Sequence, residues 1–157
     1  MSEHLYFAYG SNLEPVQMRR RCPASRVVTR AVLPGHRLTF PVASEGDWAG
    51  GVASVEPHER DNQTDGVHGV VYAVNDADLA SLDVYEAVAE GMYRRERVVV
   101  VDEAGESIEA WTYFASPDPA GPTPPSRRYL DAILRGARHH GLPGAYVQQL
   151  AAIATRD

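Results

Sequence analysis

The apolar positions of the chain fall into short runs separated by turn residues, with helical periodicity in only a few places. Leu5, Tyr6, Phe7, Ala8 and Tyr9 form the first run and read as a strand. It breaks at Gly10-Ser11-Asn12, and a helix-like stretch from Glu14 to Arg21 follows, with Pro15 suited to its first turn. Val27–Leu33 and His36–Val42 predict two strands joined at Pro34-Gly35. A polar, glycine-rich loop over Glu45–Gly51 precedes a short strand at Val52–Val55, and the charged segment Pro57–Asp65 predicts an exposed, mobile loop. Gly69–Val74 reads as a buried strand, after which Asn75 caps a helix that opens with acidic residues, where the helix dipole favours them. Tyr93–Val101 and Ser107–Ala115 predict a hairpin turned at Glu103-Ala104-Gly105. Ser116–Pro125 carries five prolines and reads as an extended connector. Ser126 then caps a helix to His140, with Leu130, Ile133, Leu134 and Ala137 on one face and Gly141 as its stop. His139 and His140 fall at its C-terminal end, where a cation suits the dipole. Pro143–Ala154 predicts a last short helix.

Roughly seven strands and three to four helices result, and helices do not separate the strands regularly. That order argues against a doubly wound parallel sheet. It favours an α+β fold: a small mixed β-barrel of about six to seven strands with three to four helices packed outside. A chain of 157 residues predicts a single domain, residues 1–157, able to bury a core.

Composition narrows the function classes. A net charge of −6 argues against nucleic acid as a general partner, and Arg19-Arg20-Arg21 reads as a solvated helix end. No apolar run approaches the ~18 residues of a membrane span, and Met-Ser-Glu-His, with no basic segment followed by an apolar one, is not expected to open a leader peptide. With one cysteine, Cys22, there is no internal disulfide, and the expected compartment is the cytoplasm. All fifteen basic residues are arginine, which excludes Schiff-base lysine chemistry and a P-loop. The six histidines show no metal-ligand spacing, so neither a metal nor another cofactor is expected. Nothing in the pattern opposes a homodimer.

Two features carry candidate chemistry. A strand that passes through Gly10-Ser11-Asn12 into a helix start leaves backbone N–H groups unpaired, and such groups hold an anion or a developing oxyanion. Ser11 and Asn12 are also good N-caps, so the same residues read equally as an ordinary strand–helix turn. Gly10 has either a positive φ or a ligand too close for a Cβ. The second feature is Glu86, which shares the spacing of one helix face with Leu79 and Leu82. If that helix continues, a carboxylate faces the core; if it ends near Tyr85, Glu86 turns outward. Asp83 is the competing acid. A carboxylate, several tyrosines and an amide-rich loop suit proton transfer with oxyanion stabilisation.

The order of these segments resembles the γ-glutamylcyclotransferase family over nearly the whole chain. Leu-Tyr-Phe-Ala-Tyr-Gly-Ser-Asn-Leu (5–13) is similar to its substrate-binding loop, and Trp-Ala-Gly-Gly-Val-Ala (48–53) and Gly-Val-Val-Tyr (69–72) to its inner strands. Leu-Asp-Val-Tyr-Glu-Ala-Val-Ala-Glu-Gly-Met-Tyr (82–93) resembles the segment with the catalytic glutamate, which falls on Glu86. Pro-Ser-Arg-Arg-Tyr-Leu (125–130) and Gly-Ala-Arg-His-His-Gly-Leu-Pro (136–143) resemble its closing helices. The resemblance implies a cofactor-free cyclisation of a γ-glutamyl compound, a small-molecule substrate, to 5-oxoproline with release of an amino acid or amine. It implies Glu86 as acid–base, Tyr9, Gly10, Ser11, Asn12 and Leu13 as the substrate loop, and Tyr93, Tyr113 and Tyr129 as pocket walls. Ala87 stands where the family often has glycine, and Glu56–Val67 has no family pattern, so the leaving group stays open. A γ-glutamylamine or a γ-glutamyl biosynthetic intermediate is the alternative substrate. A non-catalytic binding module of the same fold is the alternative class.

Overall fold

A computed structural model describes residues 2–44, 48, 50–58, 66–116 and 121–157. The element order is β1 (Glu3–Ala8), a 3-10 turn (Ser11–Leu13), α1 (Pro15–Arg21), β2 (Arg26–Pro34), β3 (His36–Ser44), β4 (Gly50–Pro57), β5 (Gly66–Asn75), α2 (Asp76–Tyr85), β6 (Tyr93–Asp102), β7 (Ser107–Ala115), α3 (Arg127–His139) and α4 (Gly144–Ala151). Most of the loop predicted at 45–51, residues 59–65 of the segment predicted as mobile, and residues 117–120 of the proline-rich connector lie outside the described residues.

Five strands close a barrel in the order β1-β5-β2-β6-β7, and the ring is sealed where β7 meets β1 in parallel at Tyr6 and Trp111. The expected count of about six to seven strands is roughly right: seven lie among the described residues, five of them in the barrel, while β3 and β4 form their own antiparallel ribbon. β5 pairs antiparallel with both β1 and β2, which accounts for its continuous apolar run: Val67, Val70, Val71, Tyr72 and Val74 are all buried. The ribbon meets the barrel through β4, whose Ser54 hydroxyl accepts the Ala115 N–H of β7 at 2.9 Å. No described helix is long and apolar enough to cross a membrane.

The helices follow their sequence signals with one change. Ser126 caps α3 by accepting the Tyr129 N–H, and Leu130, Ile133, Leu134 and Ala137 are buried at the predicted spacing. Asn75 caps α2 through the Asp78 N–H at 2.8 Å. At α1 the cap is Glu14, not Ser11 or Asn12: its carboxylate accepts the N–H groups of Val16 and Gln17, with Pro15 at the first helical position. This carboxylate satisfies α1 and leaves the side chains of Ser11 and Asn12 to other partners.

Candidate active site

β1 ends at Ala8 and delivers Tyr9 and Gly10 to the mouth of the barrel. The 3-10 turn that follows uses two amides, Leu13 N–H to Gly10 O and Glu14 N–H to Ser11 O, each at 3.0 Å. The N–H groups of Gly10, Ser11 and Asn12 take no partner among the described residues. Gly10 has φ −113°, so a positive φ is not its reason to be glycine. A Cβ there would lie 3.4 Å from Ala53 and 3.5 Å from the Tyr129 hydroxyl, both ordinary contacts. The Asn12 side chain is bound within the protein: Oδ1 accepts from Gln17 and Arg21, and Nδ2 donates one hydrogen to the Tyr6 hydroxyl. Leu13 is completely buried and does not line the cavity; it anchors the turn.

Glu86 reaches this loop from α2. The helix does end at Tyr85, yet the Glu86 N–H still bonds to Leu82 O at 2.9 Å, so Glu86 takes one further step in helical register. The chain reverses only at Ala87, with φ 53°, as Val88 N–H returns to Asp83 O and Ala87 N–H to Val84 O. This is a Schellman turn with alanine at the left-handed position that glycine normally fills. Glu86 is half-buried by surface area because it lines the cavity, while protein encloses its carboxyl elsewhere. Burial pushes the carboxyl up to about 7, and the nearby Arg21 guanidinium opposes the rise. Asp83 is engaged differently: it accepts the Tyr113 hydroxyl at 2.7 Å and pairs with Arg95 at 3.1 Å.

One cavity of about 130 Å³ is lined by Tyr9, Gly10, Ser11 and Asn12 together with Glu86, Tyr93, Tyr113 and Tyr129. Hydrogen bonds divide the tyrosines. Tyr9 donates to Tyr113 O, Tyr93 to Ala53 O, and Tyr113 to Asp83, which commits those three hydroxyl hydrogens to the protein. Tyr129 instead accepts the Ala53 N–H at 2.8 Å and keeps its own hydrogen to donate. Burial holds its acidity far below that of a free phenol. Tyr6, likewise an acceptor from Asn12, is a cavity residue that sequence reasoning missed.

Arg21 was missed as well. Arg19 and Arg20 are exposed as expected, but Arg21 turns into the cavity wall, bonds Asn12 at 3.1 Å and lies over the Tyr85 ring at 4.3 Å. Trp48 completes the wall, its ring edge-on to Tyr129 at 5.0 Å, with the Arg128 guanidinium over it. Among the described residues no group of three or more His, Cys, Asp or Glu is placed to hold a metal ion. A carboxyl that titrates near neutrality, beside unpaired amides and a donating phenol, can exchange a proton and hold an anion in the same place.

A small barrel with such a pocket at its mouth places the chain in a defined class, and comparison with known proteins agrees. The AIG2-like family pattern matches residues 66–150, more than half of the chain. Human γ-glutamylcyclotransferase is 36% identical over 98% of this chain and 80% of its own length, and the cattle enzyme is 35% identical over the same shares. A solved structure of a γ-glutamyl cyclotransferase superposes with TM-score 0.90 at 33% identity, covering 99% of this chain and 90% of that one. The chain belongs to this family of AIG2-like, γ-glutamylcyclotransferase proteins.

Proposed function

We propose that the chain is a γ-glutamylcyclotransferase that converts a γ-glutamyl amino acid into 5-oxoproline and the free amino acid. The single observation that carries this reading is Glu86, a carboxyl raised to about 7 in one cavity with the unpaired amides of Gly10–Asn12. The substrate's α-ammonium is not nucleophilic, and the Glu86 carboxylate takes one of its protons. The amine then attacks the γ-carbonyl, a C–N bond closes the five-membered ring, and the carbonyl electrons move to oxygen. The amides of the loop hold the substrate carboxylate, and the Tyr129 hydroxyl donates to this oxyanion. As the intermediate collapses, the bond to the leaving nitrogen breaks, Glu86 returns its proton there, and the ring nitrogen releases its surplus proton to solvent. Because both reacting groups belong to one molecule, holding the right conformer supplies up to about 7–11 kcal/mol of the acceleration. A cytoplasmic setting, where Cys22 stays a buried free thiol, fits this chemistry.

The test is incubation with γ-glutamyl-L-alanine and measurement of 5-oxoproline by mass spectrometry. Release of 5-oxoproline is the expected result. Turnover of γ-glutamylamines alone, across a panel of leaving groups, would reassign the substrate. Calorimetric binding with no 5-oxoproline from any member would identify a binding module and overturn the catalytic reading.

A further inference from the structure

Gly10, Ser11 and Asn12 face the cavity on one side of their loop, and the reverse side carries a second set of contacts. His140, the residue that closes α3, places Nε2 3.0 Å from the Leu13 carbonyl. A carbonyl only accepts, so Nε2 carries the hydrogen and cannot accept one from Tyr72, whose hydroxyl lies 3.2 Å away. Tyr72, on β5, therefore directs its hydrogen to the Asn12 carbonyl at 3.2 Å. Burial, then the neighbouring His139, lower the His140 pKa from its ordinary value, which favours the uncharged donor over the helix-end cation its position suggests.

These two bonds complete the loop. The Asn12 carbonyl is held by Tyr72 while the amide of the same peptide, Leu13 N–H, bonds Gly10 O. The Leu13 carbonyl is held by His140 while Glu14 N–H bonds Ser11 O. Both peptide planes are thus fixed at both polar ends. α3 can come this close because residue 136 is glycine: a Cβ there would stand 2.3 Å from the Leu13 carbonyl carbon. The Leu13 and Glu14 amides so fixed in turn hold the Gly10 and Ser11 carbonyls, whose peptides carry the unpaired amides of Ser11 and Asn12, and this sets the direction of those amides.

We propose that His140 and Tyr72, seated on Gly136, form a clamp that orients the loop's free amides toward substrate, which makes His140 a positioning residue for binding rather than for proton transfer. The proposal rests on the reading of those amides as the substrate holders.

Its test compares His140→Leu, which keeps bulk without a donor, with His140→Gln, whose amide nitrogen falls near Nε2, and with Tyr72→Phe. With γ-glutamyl-L-alanine, His140→Leu raises KM about tenfold, the worth of one lost hydrogen bond, and leaves kcat within about threefold, the pattern of lost uniform binding. Tyr72→Phe acts in the same direction, His140→Gln restores KM to near the parent value, and the pH profile of kcat is unchanged in all three. Equal KM defects in the Leu and Gln variants, or a lowered melting temperature with KM unaltered, would overturn the clamp. Amide hydrogen exchange at Leu13 and Glu14 in the substrate-free protein reads the clamp without catalysis. Exchange about tenfold faster in His140→Leu but not in His140→Gln is expected. Should the parent make no 5-oxoproline, the catalytic reading fails while exchange still decides the clamp, and unchanged exchange in His140→Leu overturns it.

Discussion

Replacing Glu86 by Gln should stabilise the protein while it destroys activity. The folded carboxyl titrates at about 7, against an ordinary value of 4.5. A raised carboxyl pKa means that the folded state binds its proton more tightly than the unfolded chain does. Stability contributed at this site is therefore greatest at low pH, falls as pH rises from about 4.5 to about 7, and is flat above that. Ionised Glu86 costs about 3 kcal/mol at pH 8, and less than about 1 kcal/mol at pH 5. Gln has the same shape and no ionisation, so Glu86→Gln should gain up to about 3 kcal/mol at pH 8 and converge on the parent near pH 4. In the proposed mechanism the same change removes the proton acceptor, and loss of a general acid–base group lowers rates by about 10²–10⁴. Urea unfolding of both proteins at pH 5 and pH 8 measures the first effect, and 5-oxoproline release from γ-glutamyl-L-alanine the second. Equal stability at pH 8 would refute the burial of the charge. Undiminished turnover by the Gln variant would refute its role, whatever the stability.

Asp83→Asn should keep kcat within about threefold and lose about 1 kcal/mol of stability, since it removes a half-buried ion pair with Arg95 but still accepts the Tyr113 hydroxyl; steady-state kinetics and urea unfolding separate the two. Arg21→Met deletes the cation that opposes the rise at Glu86, so the acid limb of kcat/KM should move to higher pH, and Arg21→Lys should largely restore it. An unmoved limb in Arg21→Met would show that the guanidinium acts only through Asn12. Ala87→Gly should add about 1 kcal/mol by relieving a side chain at φ 53°, read as a higher melting temperature with unchanged turnover.

What the sequence carried and what it lost differ in how far apart the deciding residues lie. The inward placement of Glu86 is legible because it stays within one helical bond of Leu82, so the Leu79–Leu82 face still describes it although α2 has ended. The alternative that Glu86 turns outward joins a correct helix end to a wrong consequence, because the reversal waits for Ala87. The loop is legible as a place with unpaired amides, but the cap that follows it is Glu14 and not Ser11 or Asn12. Ser11 and Asn12 are good caps by type, and only the arrival of Gln17, Arg21 and Tyr6 around them decides that Glu14 takes that part. Arg21 could not be told from Arg19 and Arg20, since what draws it inward is Tyr85, brought from another helix. The tyrosines show the same limit most sharply. Tyr93 and Tyr129 meet one residue, Ala53, one bonding its carbonyl and the other its amide. From the sequence they are two equivalent phenols in a pocket. The strand between them makes one a closed wall and the other a donor, so Tyr129→Phe should impair turnover in a way that Tyr93→Phe does not.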